Sequence, residues 1–356
     1  MTDKPLRTLE SLVADARASM PTREESDRRF EARVSGGQAW NDRHLAGPAD
    51  IAGRGPGAEP ERINVVSLPA WLALAERAGV SLIPIRPLAE LSVRDYYTVL
   101  DQRDDGGMTV AFENAVVAGL QEGEVLRFEQ CAPSEIKFNL SSGGEIGNGT
   151  IMGHDGRPFP DIWSMRFLDT LFDLGEDKVR AYARPYIEPM TVPGTFEGAE
   201  GSWPLEFRVF IRDGNITGIA NYYRQVHPDE PGLMEEADLR AAVNGTLRAA
   251  QRMLDTMQEL NLGIGNRAMA PGTEEHGAAG WDSQDYTLDF LIAADGTPLF
   301  LEGGPAGLLF ADPCAFLSDE PGPCGLEGVA LSTRRPPIPF MTWFSDNPHS
   351  RPDMPS

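Results

Sequence analysis

The chain has 356 residues, 41% of them apolar, and a formal net charge of −23. That length suffices for one large or two modest domains with a real core. The acidity excludes a nucleic-acid backbone or an anionic lipid surface as the main partner, and it suits a phosphate ligand only where the few basic residues gather in one pocket.

At the N-terminus, Leu6, Leu9, Leu12, Val13, Ala16 and Met20 recur at helical spacing and predict an amphipathic helix over residues 5–20. Residues 21–62 are polar, with Gly and Pro crowded into 47–60, and read as a loop or linker. Two strands, 63–66 and 81–85, are expected to flank a helix over 68–79. Residues 125–128 read as a strand, 161–174 as a helix, 179–187 as a strand and 189–204 as a Pro/Gly loop. A strand over 205–212, a turn at Asp213-Gly214 and a returning strand over 216–223 follow. Leu239, Val243, Leu247, Leu254, Met257 and Leu260 form one stripe of a long helix over 235–261. A second Asp-Gly hairpin spans 286–302, and 345–356 reads as a frayed tail. Hairpins with helices between them predict an α+β fold, antiparallel rather than doubly wound. The divisions that follow are 1–62, 63–123, 124–188, 189–332 and 333–356.

Cys131, Cys314 and Cys324 show no metal-binding spacing, and their low, odd count suits a reducing compartment. No apolar run follows Asp3, Lys4 and Arg7, so no leader is expected and the predicted location is cytoplasmic. Glu76, Arg77 and Arg86 interrupt the longest apolar stretch, so no bilayer span is expected. The five histidines are scattered, which disfavours a zinc enzyme.

The most informative feature is the last hairpin. With a two-residue Asp295-Gly296 turn, Ala294 pairs with Thr297, and Asp289 falls opposite Glu302 on the same face, with Cβ atoms about 5 Å apart. Like charges so placed repel, and a divalent cation between them accounts for the pairing. The alternatives are a solvated exposed pair or a shared proton. Upstream, Glu206 and Arg208 lie on one face of their strand. Asn221 falls opposite Glu206 or Arg208 depending on the turn, and Arg224 follows closely. An arginine there suits bidentate phosphate binding, and the alternative is a solvent-facing strand with cross-strand ion pairs. The glycine-rich run 141–149 has neither a Walker nor a G-x-G-x-x-G pattern. With Lys137 before it, it reads as a phosphate loop or as an ordinary flexible one. Taken together, these features suit Mg-ATP, with cations on the phosphates and carboxylates on the metal.

In this order the blocks resemble the ATP-grasp superfamily, most of all the branch of the cell-division-cycle chaperone that assembles a translation initiation factor. The resemblance covers roughly residues 124–316. Val125-Leu126-Arg127 with Cys131-Ala132-Pro133 resembles its first block, with Arg127 where the family has lysine. Tyr182-Ala183-Arg184-Pro185-Tyr186-Ile187-Glu188 resembles the strand and hinge beside adenine, and Glu206-Phe207-Arg208-Val209-Phe210-Ile211 is the sharpest match. Leu301-Glu302-Gly303-Gly304-Pro305 resembles the second metal block, with Gly304 in place of an amide, and Asp312-Pro313 its trailing pair.

The resemblance implies an ATP-grasp-like fold of two antiparallel-sheet subdomains with helices, enclosing a nucleotide cleft. It implies ATP and Mg2+ as cofactors. Arg127, Lys137, Arg184, Tyr186, Ile187, Glu188 and Glu206 would bind nucleotide, Arg208 and Arg224 would clamp the phosphates, and Asp289 and Glu302 would hold the metal. The first function it suggests is an ATP-dependent ligase that activates a carboxylate as an acyl phosphate. The second is a non-catalytic Mg-ATP-dependent assembly factor whose N-terminal region contacts a protein partner. The third is a degenerate fold that serves as an interaction module. On these grounds Asp289→Asn is expected to abolish a Mg-dependent response while leaving the fold intact.

Overall fold

A computed structural model describes residues 21–101, 107–129, 159, 162–196, 199–223, 226, 232–265, 286–305 and 330–332. The helix expected over 5–20, the glycine-rich run, Lys137, Arg224, Asp312-Pro313 and the C-terminal tail lie outside them.

The first described element corrects an expectation. Residues read as linker form helix α1 (Arg23–His44), capped by Thr22, whose hydroxyl accepts from the Glu25 N–H at 3.2 Å. It shows little apolar periodicity, and Gly36-Gly37 reads as a breaker. Tertiary contacts hold it instead. Phe30 stacks on Tyr97 with ring centroids 4.2 Å apart and meets Phe172 edge-on, while Asn41 Nδ2 donates to the Leu174 carbonyl at 2.6 Å.

Next come β1 (Leu45–Ala46), α2 (Pro48–Gly53), β2 (Glu61–Asn64) and α3 (Leu68–Arg77). The segment 81–83 is not a strand of its own. It runs beside Phe300, with one parallel bridge from Leu82, and Ile83 N–H donates to the Phe300 carbonyl at 3.3 Å. The strand here is β3 (Arg86–Ser92), followed by α4 (Val93–Leu100), α5 (Gly107–Gly119), β4 (Glu124–Phe128), α6 (Met165–Leu174) and β5 (Lys178–Pro185). The expected Pro/Gly loop is a hairpin, β6 (Thr191–Phe196) with β7 (Ala199–Pro204), in a two-stranded sheet where every strand is an edge and prolines are tolerated. Then come β8 (Glu206–Arg212), β9 (Asn215–Asn221), α7 (Glu236–Glu259), β10 (Leu262–Gly265), β11 (Tyr286–Ile292), β12 (Pro298–Pro305) and β13 (Ala330–Ser332).

The fold is mixed α+β with several small sheets. The largest has the order β12-β11-β8-β9-β13, and an antiparallel sheet has the order β3-β5-β4. Two features depart from an all-antiparallel expectation. The sheet β1-β2-β10 is parallel, and so is the pairing of β9 with β13. The α7 stripe is buried as its spacing predicts, with Leu239, Val243, Leu247, Leu254 and Met257 inside. It covers the face of the large sheet that carries Phe207, Val209, Leu288 and Phe290. Among the described residues no helix is long and apolar enough to cross a membrane.

Candidate functional site

The carboxylates meet as expected, but by a different route. The loop of the last hairpin is three residues long: Ala293 N–H donates to the Thr297 carbonyl at 2.9 Å, and Gly296 adopts φ +85°. Phe290 therefore pairs with Phe300 rather than with Leu301. An extra residue, Leu301, then bulges from β12, and Asp289 pairs with Glu302. The longer loop and the bulge each shift the register by one residue, and the two shifts cancel.

The bulge decides which way Glu302 points. Without it, Glu302 would pair with Leu288 and face the core, since a one-residue slip exchanges the two faces. With it, Gly303 takes the core side, against Trp71 of α3, where a Cβ would overlap the indole. Trp71 is anchored there by its Nε1–H, which donates to the Val65 carbonyl at 2.9 Å, and its ring lies 5.5 Å from that of Tyr286.

Both acids are buried, Asp289 at 3% exposure and Glu302 at 6%. Each is met by an arginine. Arg208, paired with Asp289 across β8 and β11, donates Nε–H to Oδ1 at 2.8 Å and Nη2–H to Oδ2 at 2.6 Å. Its guanidinium also lies over the Tyr222 ring, 4.9 Å from the centroid. Burial works against the Arg208 charge, but the Asp289 carboxylate more than offsets it and raises the pKa above the ordinary arginine value. Arg127, from β4, pairs with Glu302, and among the described residues its buried Nε–H has no hydrogen-bond partner. The row Arg127–Glu302–Asp289–Arg208 thus joins the large sheet to the β3-β5-β4 sheet with no net charge. The sequence motif contains the repulsion, and the fold supplies two guanidinium groups to balance it.

The β3-β5-β4 sheet turns a polar face toward this row. Along β5 the side chains of Lys178, Arg180, Tyr182 and Arg184 alternate with the buried Val179, Ala181 and Ala183. Arg184 reaches across to backbone, donating to the Ile83 carbonyl from Nε at 3.2 Å and to the Leu301 carbonyl from Nη2 at 2.7 Å. Arg180 Nη1 binds Glu129 at 2.8 Å and Glu176 at 3.0 Å. Burial pushes the Glu129 carboxyl up to about 7 against the pull of Arg180, so its charge changes near neutral pH. Sequence reasoning misses Arg180 and Glu129, although the Lys-x-Arg-x-Tyr-x-Arg alternation on β5 is a signal that could expose this charged face.

The hinge residues lie where β5 leaves its sheet. Tyr186 is 51% exposed, and its N–H donates to the Gly123 carbonyl at 2.6 Å. Ile187 is half-buried, and the Glu188 carbonyl accepts from Ala294 N–H at 3.0 Å. Pro189 then bridges Ala293, so the hinge runs onto the loop end of the carboxylate hairpin. Ala293 lies four steps along the chain from Asp289, roughly 13 Å of extended strand. Glu206 is half-buried and pairs with Leu291.

The second hairpin also differs in detail. Asp213 and Gly214, with φ of 48° and 72°, make the two-residue turn, but a bulge between Phe210 and Ile211 sets Asn221 opposite Phe207. Asn221 therefore leaves the arginine face, and its Nδ2 donates to the Tyr223 and Val226 carbonyls at 3.0 and 2.8 Å.

Among the described residues no three His, Cys, Asp or Glu side chains cluster to hold a metal. Two carboxylates are the donor set that Mg2+ uses when phosphate oxygens and water complete its shell.

No protein family's sequence profile matches the chain, and no curated protein does. In structure it is similar to Cdc123 from Schizosaccharomyces pombe, at 9% identity and a TM-score of 0.38, over 76% of this chain and 96% of that one. It is also similar to N5-carboxyaminoimidazole synthetase from Staphylococcus aureus complexed with ADP (11% identity, TM-score 0.29, 72% of this chain and 48% of that one). A third similarity is to the ATP-grasp ligase PsnB complexed with precursor peptide PsnA2 and AMPPNP (11% identity, TM-score 0.24, 68% and 51%). These are likenesses of outline, and no residue's role is taken from them.

Proposed function

We propose that this chain binds Mg-ATP between the polar face of β3-β5-β4 and the acid row of β11 and β12, and uses it as a protein-assembly factor does. The observation that carries the binding is the buried, opposed pair Asp289 and Glu302, each neutralised by a guanidinium group that is itself suited to phosphate. Asp289 and Glu302 would hold Mg2+, and Arg208 and Arg127 would be released to phosphate oxygens, so that no buried ion would be left uncompensated. Tyr186, Ile187 and Glu188 lie at the loop end of the hairpin and take the adenine, with Glu206 between them and the acid row. Lys137, before the glycine-rich run, and Arg224, just after the hairpin of β8 and β9, are the further candidates for the phosphates that the sequence offers. When bound, Mg2+ supplies charge neutralisation between the phosphates and the acids.

The assembly role is supported by the Glu206–Ile211 block, the sharpest match to that branch. It is also supported by α5 in the N-terminal region, which exposes Val110 and Val117 to a protein partner. The second reading, a ligase, is supported by the arginines beside the proposed phosphate position and is distinguished by ADP release that depends on an added carboxylic acid.

The test of binding is thermal. Mg-ATP is expected to raise Tm by more than ATP with EDTA or Mg2+ alone. Glu302→Gln is expected to remove the Mg-dependent part of the rise, read as the ligand-induced change rather than as Tm itself. An equal rise with and without Mg2+ in the native protein would refute the metal assignment.

A further inference from the structure

We propose that Arg184 is a positioning residue that holds the β12 bulge and so places Glu302 opposite Asp289. Its functional consequence rests on the Mg-ATP reading above. Arg184 is 6% exposed, with its guanidinium held at the meeting of three chain segments. From β5 it donates twice to the Ile83 carbonyl, by Nε at 3.2 Å and Nη2 at 3.0 Å, and once to the Leu301 carbonyl at 2.7 Å. Leu301 is the bulged residue itself. Ile83 ends the short segment that lies along Phe300, the last residue before the bulge.

The pairing on the two sides of the bulge makes this contact decisive. Below it, Phe300 is fixed twice, by Phe290 on β11 and by the segment 81–83, where its N–H donates to the Ser81 carbonyl at 2.8 Å. Above it, Gly303 pairs with Leu288 on β11 and lies against Trp71. Between these anchors, the Arg184 guanidinium holds the carbonyl of the extra residue. The Leu301 carbonyl is part-buried, and removing its donor loosens the bulge. A regular ladder would put Glu302 on the Trp71 side, where even a Cβ overlaps the indole, so a loosened bulge lets Glu302 stray from Asp289 without another stable register to adopt. Arg184 thus acts on the acid row through backbone, as groups behind a metal ligand do.

The test uses the full chain with Arg184→Lys, which keeps the charge, and Arg184→Met, which keeps the length. In the ligand-free protein, amide exchange in the peptide spanning 298–305 is expected to accelerate in both variants, more in Arg184→Met, while the peptide spanning 215–221 is unchanged. For Arg184→Lys, the Mg2+ concentration giving half of the Mg-ATP thermal shift is expected to rise about tenfold. If Arg184→Met does not fold, the lysine variant alone decides. Native exchange in 298–305 together with a native Mg2+ midpoint would overturn the proposal. Absence of any Mg-ATP response in the unmutated chain would defeat the nucleotide reading instead, and exchange would still decide whether Arg184 holds the bulge.

Discussion

Asp289→Asn is expected to lower the free energy of unfolding by about 3–5 kcal/mol, because it leaves the Arg208 guanidinium buried without its counter-charge. Sequence alone leads to the opposite expectation, an intact fold, because it shows the two acids and not their partners. Arg208 and Asp289 share two hydrogen bonds of 2.8 and 2.6 Å, with both side chains largely out of water. An amide at Asp289 keeps one acceptor and loses the charge. The double variant Arg208→Met with Asp289→Leu removes both ions together and is expected to recover most of the loss, since an apolar pair of similar volume often replaces a buried ion pair without cost. Urea unfolding of both variants beside the native chain measures this. A loss within about 1 kcal/mol for Asp289→Asn would show that the pair is solvated, as exposed pairs are.

Gly303→Ala is expected to cost about 1–3 kcal/mol or more, from overpacking against Trp71. The new methyl has nowhere to go. The indole beside it is fully buried and fixed by its bond to the Val65 carbonyl, and the strand is held by its pairing with β11. Because Gly303 sits next to Glu302, relief of the clash by backbone movement would displace the acid as well. A second change, Trp71→Phe, makes room. The double variant is therefore expected to be less destabilised than the sum of the singles, with a coupling of about 0.5–3 kcal/mol in denaturant unfolding. Simple additivity would place the strain elsewhere. At Gly304, one residue on, a Cβ would meet only Thr287 Oγ1 among the described residues, at 3.5 Å.

What the sequence reveals is local. The Asp213-Gly214 turn and the α7 stripe follow from short-range chemistry that a few residues suffice to specify. The opposition of Asp289 and Glu302 is legible too, though by a cancellation: the Asp-Gly pair predicts a two-residue turn, the chain makes a three-residue loop, and the bulge restores the register. Bulges carry no signal in a single sequence, and the position of Asn221 is mispredicted for the same reason. Helix α1 is hidden because one aromatic, Phe30, and one amide, Asn41, fix it to residues far along the chain. The parallel sheet β1-β2-β10 joins Ala46, Ile63 and Ile264, a pairing that no local pattern announces. The arginines are visible as candidates for phosphate. That Arg208 and Arg127 rest on the two acids, and Arg184 on backbone carbonyls, depends on how the two sheets face each other.

The most direct measurement is a crystal structure of the chain with Mg2+ and a non-hydrolysable ATP analogue. Nucleotide binding at this site requires the metal between Asp289 and Glu302, phosphate oxygens on the guanidinium groups of Arg208 and Arg127, and the base beside residues 186–188. A structure in which Arg208 and Arg127 still hold the two carboxylates, with the analogue bound elsewhere or absent, would contradict it.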